Sequence, residues 1–355
     1  MTATIVDGAD EQEQRARACR LCGSHGRLLY PDMSDRHFGA PGNFSLLECP
    51  SCELVWLHPK PERAQLAELY ETYYTHEDAE AQSWLHRMVR VEIPATIFGY
   101  GGGSGNRVDR WLARLLSWLG PTRQLAQGSV MWLPARLRGR LLDVGCGSGA
   151  FLSHMQKLGW QVAGVEPDPK GAQQARELLG IAEVYEDVAG DELAADSFDA
   201  VTLSHVAEHL LDPDEILRGC LRVLKPGGRL VVTTPNAASL GRRCFGRNWI
   251  HWDPPRHIQL FTIATLEQTV ERSGFKVISA STPSSSAHFV WQMSLKIRAE
   301  GTTTGLRVEQ PSTSLLLGSV LFLAGEYLLS LIGLHCGEEL LITAEKPGTS
   351  AAASP

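Results

Sequence analysis

Two hydrophobic rhythms divide this chain. From Arg140 onward, short apolar runs alternate with segments whose apolar residues return every three or four positions, as buried strands followed by amphipathic helices require. The runs are Leu141–Val144, Gln161–Glu166, Ala182–Tyr185, Phe198–Ser204, Arg229–Pro235, Phe275–Ser279 and Glu338–Ala344. Helical periods lie between them over 151–158, Ala172–Leu179, Asp214–Leu224 and Thr265–Ser273. Lys225-Pro-Gly-Gly228 closes the third of these helices and Gly274 the fourth. The alternation predicts an α/β fold, a Rossmann-like doubly wound parallel sheet of seven strands, over 140–346.

The first 140 residues follow another pattern. Residues 1–16 have no apolar period and read as a disordered tail, as do 347–355. Leu28-Leu29-Tyr30 and Phe44–Leu47 read as strands of a small module over 17–62. A helical linker region over 63–139 begins with a helix through Leu66, Leu69, Tyr70, Tyr73 and Tyr74. A flexible glycine linker follows over Gly99–Asn106. Val108, Trp111, Leu112, Leu115, Leu116 and Leu119 then form one helical face, closed by Gly120-Pro121 and accompanied by Arg107, Arg110 and Arg114. Two readings of 107–119 stay open: packing across the sheet domain, or peripheral contact with a membrane surface. The apolar insert 284–336 contains a run over 315–334, long enough to cross ~30 Å of hydrocarbon. Glu326 sits inside it, and the chain must return at once to the strand at Glu338. A buried or interfacial helical pair is therefore expected rather than a span.

Composition changes this picture little. Hydrophobic residues make up 43% and charged residues 21% of 355, values of an ordinary soluble protein. The net charge of −7 gives no global attraction to nucleic acid, and none is expected as a partner. Residues 107–140 nevertheless carry seven arginines against Asp109, a local +6 that leaves −13 for the remainder. The opening residues lack a secretory pattern, so a reducing cytoplasm is expected.

Four of the eight cysteines come in two C-x2-C pairs, Cys19/Cys22 and Cys49/Cys52. Paired spacing of this kind supplies four thiolates for tetrahedral zinc, and a closed shell of four thiolates makes that zinc structural. Downstream come Pro59-Lys-Pro61 and the tyrosine-rich helix. This arrangement resembles the N-terminal module of zinc-containing sugar C-methyltransferases.

The chemistry centres on Asp143-Val-Gly145-Cys146-Gly147-Ser-Gly149, an apolar strand breaking into alternate glycines before a helix. Gly145-x-Gly147-x-x-Ala150 also fits a dinucleotide fingerprint, which Asp143 within the strand disfavours. The stretch resembles the first motif of class I S-adenosylmethionine (SAM) methyltransferases. The resemblance implies SAM as cofactor. Asp143, Gly145, Cys146, Gly147 and Gly149 would form the turn, Glu166 would take the ribose, Asp187 would face the adenine and Ser204 would end the fourth strand.

His205-Val-Ala-Glu208-His209 follows that strand. It also fits the inverted zinc-protease motif H-x-x-E-H, but a strand runs straight into His205 where that motif needs a continuous helix. In the methyltransferases the E-H-L-x-D-P segment borders cofactor and substrate. Trp249-Ile-His-Trp-Asp-Pro-Pro-Arg-His257 concentrates tryptophans, histidines and an arginine in a loop, where such residues suggest a ligand. His257 is the first candidate base, with His209, His205 and Glu208 behind it. Pro-Pro-Arg replaces the acidic residues that precede the comparable histidine in the sugar C-methyltransferases, which leaves O-methylation open. The expectation is methyl transfer to a small-molecule acceptor, a sugar or glycan precursor, with a lipid-linked form among those considered. The alternatives are O-methylation of a quinone or phenolic metabolite, and a SAM-binding module that recognises RNA or protein.

Overall fold

The computed structural model describes residues 17–63, 65–66, 84–101, 106–303 and 312–348. The expected tails, apart from 347–348, lie outside these residues, as do Leu69, Tyr70, Tyr73, Tyr74 and the centre of the glycine linker.

The N-terminal part supplies β1 (Arg27–Met33), β2 (Phe44–Glu48) and β3 (Val55–His58). A helical run over 84–98 leads to α1 (Arg107–Leu116) and α2 (Gly120–Gly128). The sheet domain follows with β4 (Arg140–Val144), α3 (Ala150–Lys157), β5 (Gln161–Val165), α4 (Pro169–Leu179), β6 (Val184–Tyr185) and β7 (Phe198–Ser204). Next come α5 (Pro213–Val223), β8 (Leu224–Pro235), α6 (Leu240–Phe245), β9 (Gln259–Leu260) and α7 (Ile263–Arg272). The chain ends with β10 (Lys276–Ser281), α8 (Ala287–Glu300), α9 (Thr313–Leu331) and β11 (Glu339–Glu345).

The main sheet has seven strands in the order β10-β11-β8-β7-β4-β5-β6. The expectation of a wholly parallel sheet is corrected at β11, which runs antiparallel to both β8 and β10. The insert carrying α8 and α9 leaves the chain beside the carboxyl end of β8, where Glu339 pairs with Pro235. No crossover helix takes it back to the other edge, so the last strand must run in reverse. Strand order reverses between β4 and β7, a switch point of the kind where open α/β sheets bind ligands outside the carboxyl ends of the strands. Lys225-Pro-Gly-Gly228 does not lie between helix and strand. Strand β8 begins at Leu224, and the register against β7 shifts across these residues, with Gly227 at φ 74°.

β1, β2, β3 and β9 make a second sheet. β9 comes from the segment that carries His257, so Val55 pairs with Leu260 and Trp56 with Gln259. Cys49, Leu54 and Trp56 share a core with Leu203, Leu230 and Phe261 of the main domain. The N-terminal module is fused to the sheet domain through both hydrogen bonds and core.

Two helices face the opposite way from a core-packing expectation. On α1 the buried residues are Asp109 and Ala113, while Val108, Trp111 and Leu115 are exposed. Asp109 turns inward because it pairs with Arg87. The expected helical pair within 284–336 is α8 against α9. Of α9, the residues buried are Ser319, Phe322 and Glu326.

Candidate active site

The glycine turn joins β4 to α3. Gly147 has φ 52°, a left-handed conformation that disfavours a side chain, and an added Cβ there would project into open space. Gly149 serves close packing, since its Cβ would stand 3.1 Å from the Ala175 backbone on α4. The turn is thus a cradle with room for a ligand at Gly147. Glu166 lies immediately beyond β5. Its Oε2 accepts the Gly147 N–H at 2.8 Å, and its Oε1 accepts the Asp168 N–H at 2.9 Å. Each oxygen keeps a further lone pair, so the carboxylate can still accept a ribose diol. Burial raises the pKa of Glu166.

Asp143 lies beneath the turn, 4% exposed, and its Oδ1 accepts the Thr202 hydroxyl at 2.6 Å. Burial pushes its carboxyl up to about 7, although Thr202 opposes the shift. The ammonium end of SAM, placed nearby, would favour the ionised carboxylate. This donor set and the open cradle fit SAM.

Cys146 and Asp187 each make local contacts at the expected turn and loop. The Cys146 side chain packs inward among Leu152 and Val162, and its N–H donates to the Val165 carbonyl, so it shapes the turn from below. Asp187 accepts the Ala189 N–H at 2.9 Å and stabilises its own loop. Ser204, exposed at the end of β7, accepts from Thr233 at 3.4 Å.

The glycine turn meets the second motif at Val206, whose Cγ2 would stand 2.5 Å from a Cβ on Gly145. His205, just before it, has φ 53°, uncommon for a residue with a Cβ. Its ring lies between two carboxylates, 3.2 Å from Glu208 and 3.6 Å from Glu339. Burial works against its charge, yet the two carboxylates outweigh burial and lift it to about 10. Held between two carboxylates, His205 favours its protonated form, which disfavours it as a base beside His257. Glu208 is fully buried and accepts the Thr234 hydroxyl at 2.8 Å. Burial notwithstanding, His205 holds Glu208 well below the usual carboxylate range, so it anchors the segment instead of taking protons.

The loop after β8 is interior rather than surface. Trp249 and Arg256 are each 1% exposed. Arg256 bonds Asp35 of the N-terminal module at 2.7 Å and also pairs with Asp253. This ion cluster and the Ile258 N–H to Glu208 carbonyl bond, 2.8 Å, bring His257 beside His209. The two rings stand edge to face, 4.7 Å between centroids. His209 Nδ1 donates to the Arg256 carbonyl at 3.0 Å and His257 Nδ1 to the His251 carbonyl at 2.8 Å. In neutral His257 that bond leaves the lone pair on Nε2. Burial, reinforced by His209, lowers His257 to about 4, so it is unprotonated at neutral pH. Ligand atoms of Glu208, His209 and His257 lie within 4.8 Å of one another, a donor set that can accept either a proton or a cation.

Sequence reasoning missed Glu339, whose strand pattern gave no sign that its carboxylate meets His205, and the buried Asp35. His251 also belongs here: its ring stacks on His257 at 6.3 Å and its buried Nε2 lacks a hydrogen-bond partner.

The four cysteine sulfurs converge, with Cys19–Cys52 at 3.5 Å, Cys22–Cys49 at 3.3 Å and Cys22–Cys52 at 3.8 Å. All four thiols are free. Tetrahedral zinc with Zn–S of about 2.3 Å needs sulfurs about 3.8 Å apart, so the donor set fits.

The seven-stranded sheet with a reversed last strand is the class I SAM-dependent methyltransferase fold. Residues 106–280 match a family model described as a methyltransferase domain. Residues 106–280 are thus similar to methyltransferase domains and lie within a sheet of the SAM-dependent methyltransferase fold. The chain is 42% identical over 106 residues to a ubiquinone biosynthesis O-methyltransferase of Xanthomonas oryzae pv. oryzae, covering 27% of this chain and 43% of that one. It is 37% identical over 123 residues to a protein of the same name from Cereibacter sphaeroides, covering 32% and 50%. The chain spans about half the length of the curated relatives it matches. A SAM-dependent methyltransferase structure from Mesorhizobium loti aligns with TM-score 0.42 at 19% identity, over 62% of this chain and 97% of that chain.

Proposed function

We propose that this chain transfers the methyl group of SAM to a hydroxyl oxygen of a small-molecule acceptor, with His257 taking the hydroxyl proton. The observation that carries this reading is the neutral His257 imidazole, its tautomer pinned through Nδ1, at the carboxyl edge that also holds the glycine cradle. When bound, SAM supplies an electrophilic methyl on a sulfonium that leaves as a neutral thioether. His257 Nε2 accepts the proton as the oxygen–carbon bond forms and the sulfur–carbon bond breaks, then releases it to water. Asp143 and Glu166 hold the cofactor, while His205, Glu208 and Glu339 fix the floor on which His209 and His257 stand. Holding oxygen and methyl in line contributes about 7–11 kcal/mol to such a displacement.

A phenolic or quinol hydroxyl is the favoured acceptor. The names of the matched relatives support oxygen as the methylated atom, and a phenol gives up its proton far more readily than a sugar hydroxyl. The sugar or glycan acceptor is the second reading, supported by the pairing of β3 in the cysteine module with β9 in the His257 segment. In both readings Cys19, Cys22, Cys49 and Cys52 hold a structural zinc that stiffens this pairing.

Incubation with methyl-labelled SAM and separated phenolic and glycan fractions tests the acceptor, label in a phenolic ether being the expected result. His257→Ala should lower kcat by about 100-fold or more while SAM affinity is unchanged. Full turnover in that variant would remove His257 as the base.

A further inference from the structure

α1 and α9 present apolar faces outward, and the two faces meet. Tyr327 on α9 packs so closely on Gly120, at the start of α2, that a Cβ there would lie 1.8 Å from its ring. Trp118 and Leu119, immediately before Gly120, are 87% and 56% exposed. On one side of this junction the surface continues through Leu115, Trp111 and Val108 of α1. On the other it continues through Leu317, Val320, Leu321, Leu328 and Leu331 of α9, each about three-fifths exposed. A contiguous apolar surface of this extent is far from the scattered exposed leucines of a soluble monomer. The helix α9 is also inverted in polarity, since Ser319 and Glu326 lie among its buried residues. Burial beside the carboxylate of Glu338 pushes Glu326 up to about 11, so this side chain brings no charge to the helix.

We propose that this face docks on an anionic lipid bilayer, with α1 and α9 lying in the interface. Charge decides the occupant. The chain carries −7 overall, but the stretch 107–123 that borders the face carries +3. Arg107, Arg110, Arg114 and Arg123 are exposed along α1 and α2, beside the apolar residues. An apolar helix face with a cationic flank is the combination that binds acidic headgroups and inserts into the upper acyl region. A second copy of this chain would bring two such arginine rims to one interface, against like-charge repulsion. The helix α9 does not cross the bilayer, because α8 and β11 tie both its ends to the sheet domain. This inference stands independently of the acceptor.

Flotation with phosphatidylcholine vesicles, alone or with 30% phosphatidylglycerol, tests it on the full chain. The wild-type protein should float with the anionic vesicles and at least tenfold less with neutral ones, and 0.5 M NaCl should weaken the binding. Trp118→Glu with Leu321→Glu should abolish flotation while SAM binding by calorimetry stays unchanged, which shows that the variant is folded. Wild-type protein that stays unbound to either vesicle overturns the proposal. So does a vesicle-independent dimer that the double variant dissolves, since it assigns the face to a second copy.

Discussion

On the proposed reading, Asp143 couples the cofactor site to pH through one side chain. Its carboxyl, held at about 7 by burial, is largely protonated below that pH when the site is free. A bound ammonium favours the carboxylate, so SAM binding expels a proton at pH below 7 and must work against protonation. The Kd for SAM should therefore weaken as pH falls from 7.5 to 5.5, by up to about tenfold per unit, and Asp143→Asn should flatten the dependence. Calorimetry in buffers of different ionisation heat would also read the released proton. At this scale the sequence was informative wherever chemistry follows from position along a strand: Asp143 and Glu166 stand where their spacing placed them. It was silent at His205, whose charge depends on Glu339, a residue brought to it from the other end of the chain.

Among elements, α9 departs furthest from ordinary patterning. Burial beside Glu338 raises the folded-state pKa of Glu326 far above the ordinary carboxyl value. The stability that protonated Glu326 contributes is fully present below about 4.5 and is lost as pH rises toward the raised folded-state pKa. Glu326→Gln mimics the protonated form at every pH. The variant should match the wild type near pH 4.5 and exceed it by several degrees in Tm at pH 9, as thermal unfolding across that range would show. Loss of stability in the variant at pH 9 would mean that Glu326 is charged there. The run 315–334 was legible as one long apolar segment. The direction its faces took was not, since the length and composition of a buried helix and a lipid-facing helix coincide.

The whole molecule behaves as one body because the cysteine module and the methyltransferase domain share a sheet, a core and a buried ion cluster. Arg256 pairs with Asp35 across that boundary, and Arg20 reaches Gln259 at 2.6 Å. Metal removal should therefore be felt beyond the module. Cys49→Ser, or treatment with a strong zinc chelator, should remove about one zinc per chain and lower Tm by about 10 °C or more. It should also lower turnover through displacement of His257, with SAM affinity retained. Elemental analysis, thermal unfolding and calorimetry check the three parts. An unchanged Tm after metal loss would mean that module and domain fold independently.

The sequence by itself determined the order of strands and helices, the glycine cradle, the Asp143 and Glu166 positions and the two cysteine pairs. Each depends on residues within a few positions of one another, or within one strand–helix unit, where chain geometry allows few choices. Only the tertiary structure decided that His205 lies between two carboxylates, that the Trp249–His257 loop is interior and that β9 completes the N-terminal sheet. It also decided that α1 and α9 turn their apolar faces outward. These outcomes rest on partners such as Asp35 with Arg256 and His205 with Glu339, far apart in sequence and joined by burial and charge, which no local pattern encodes.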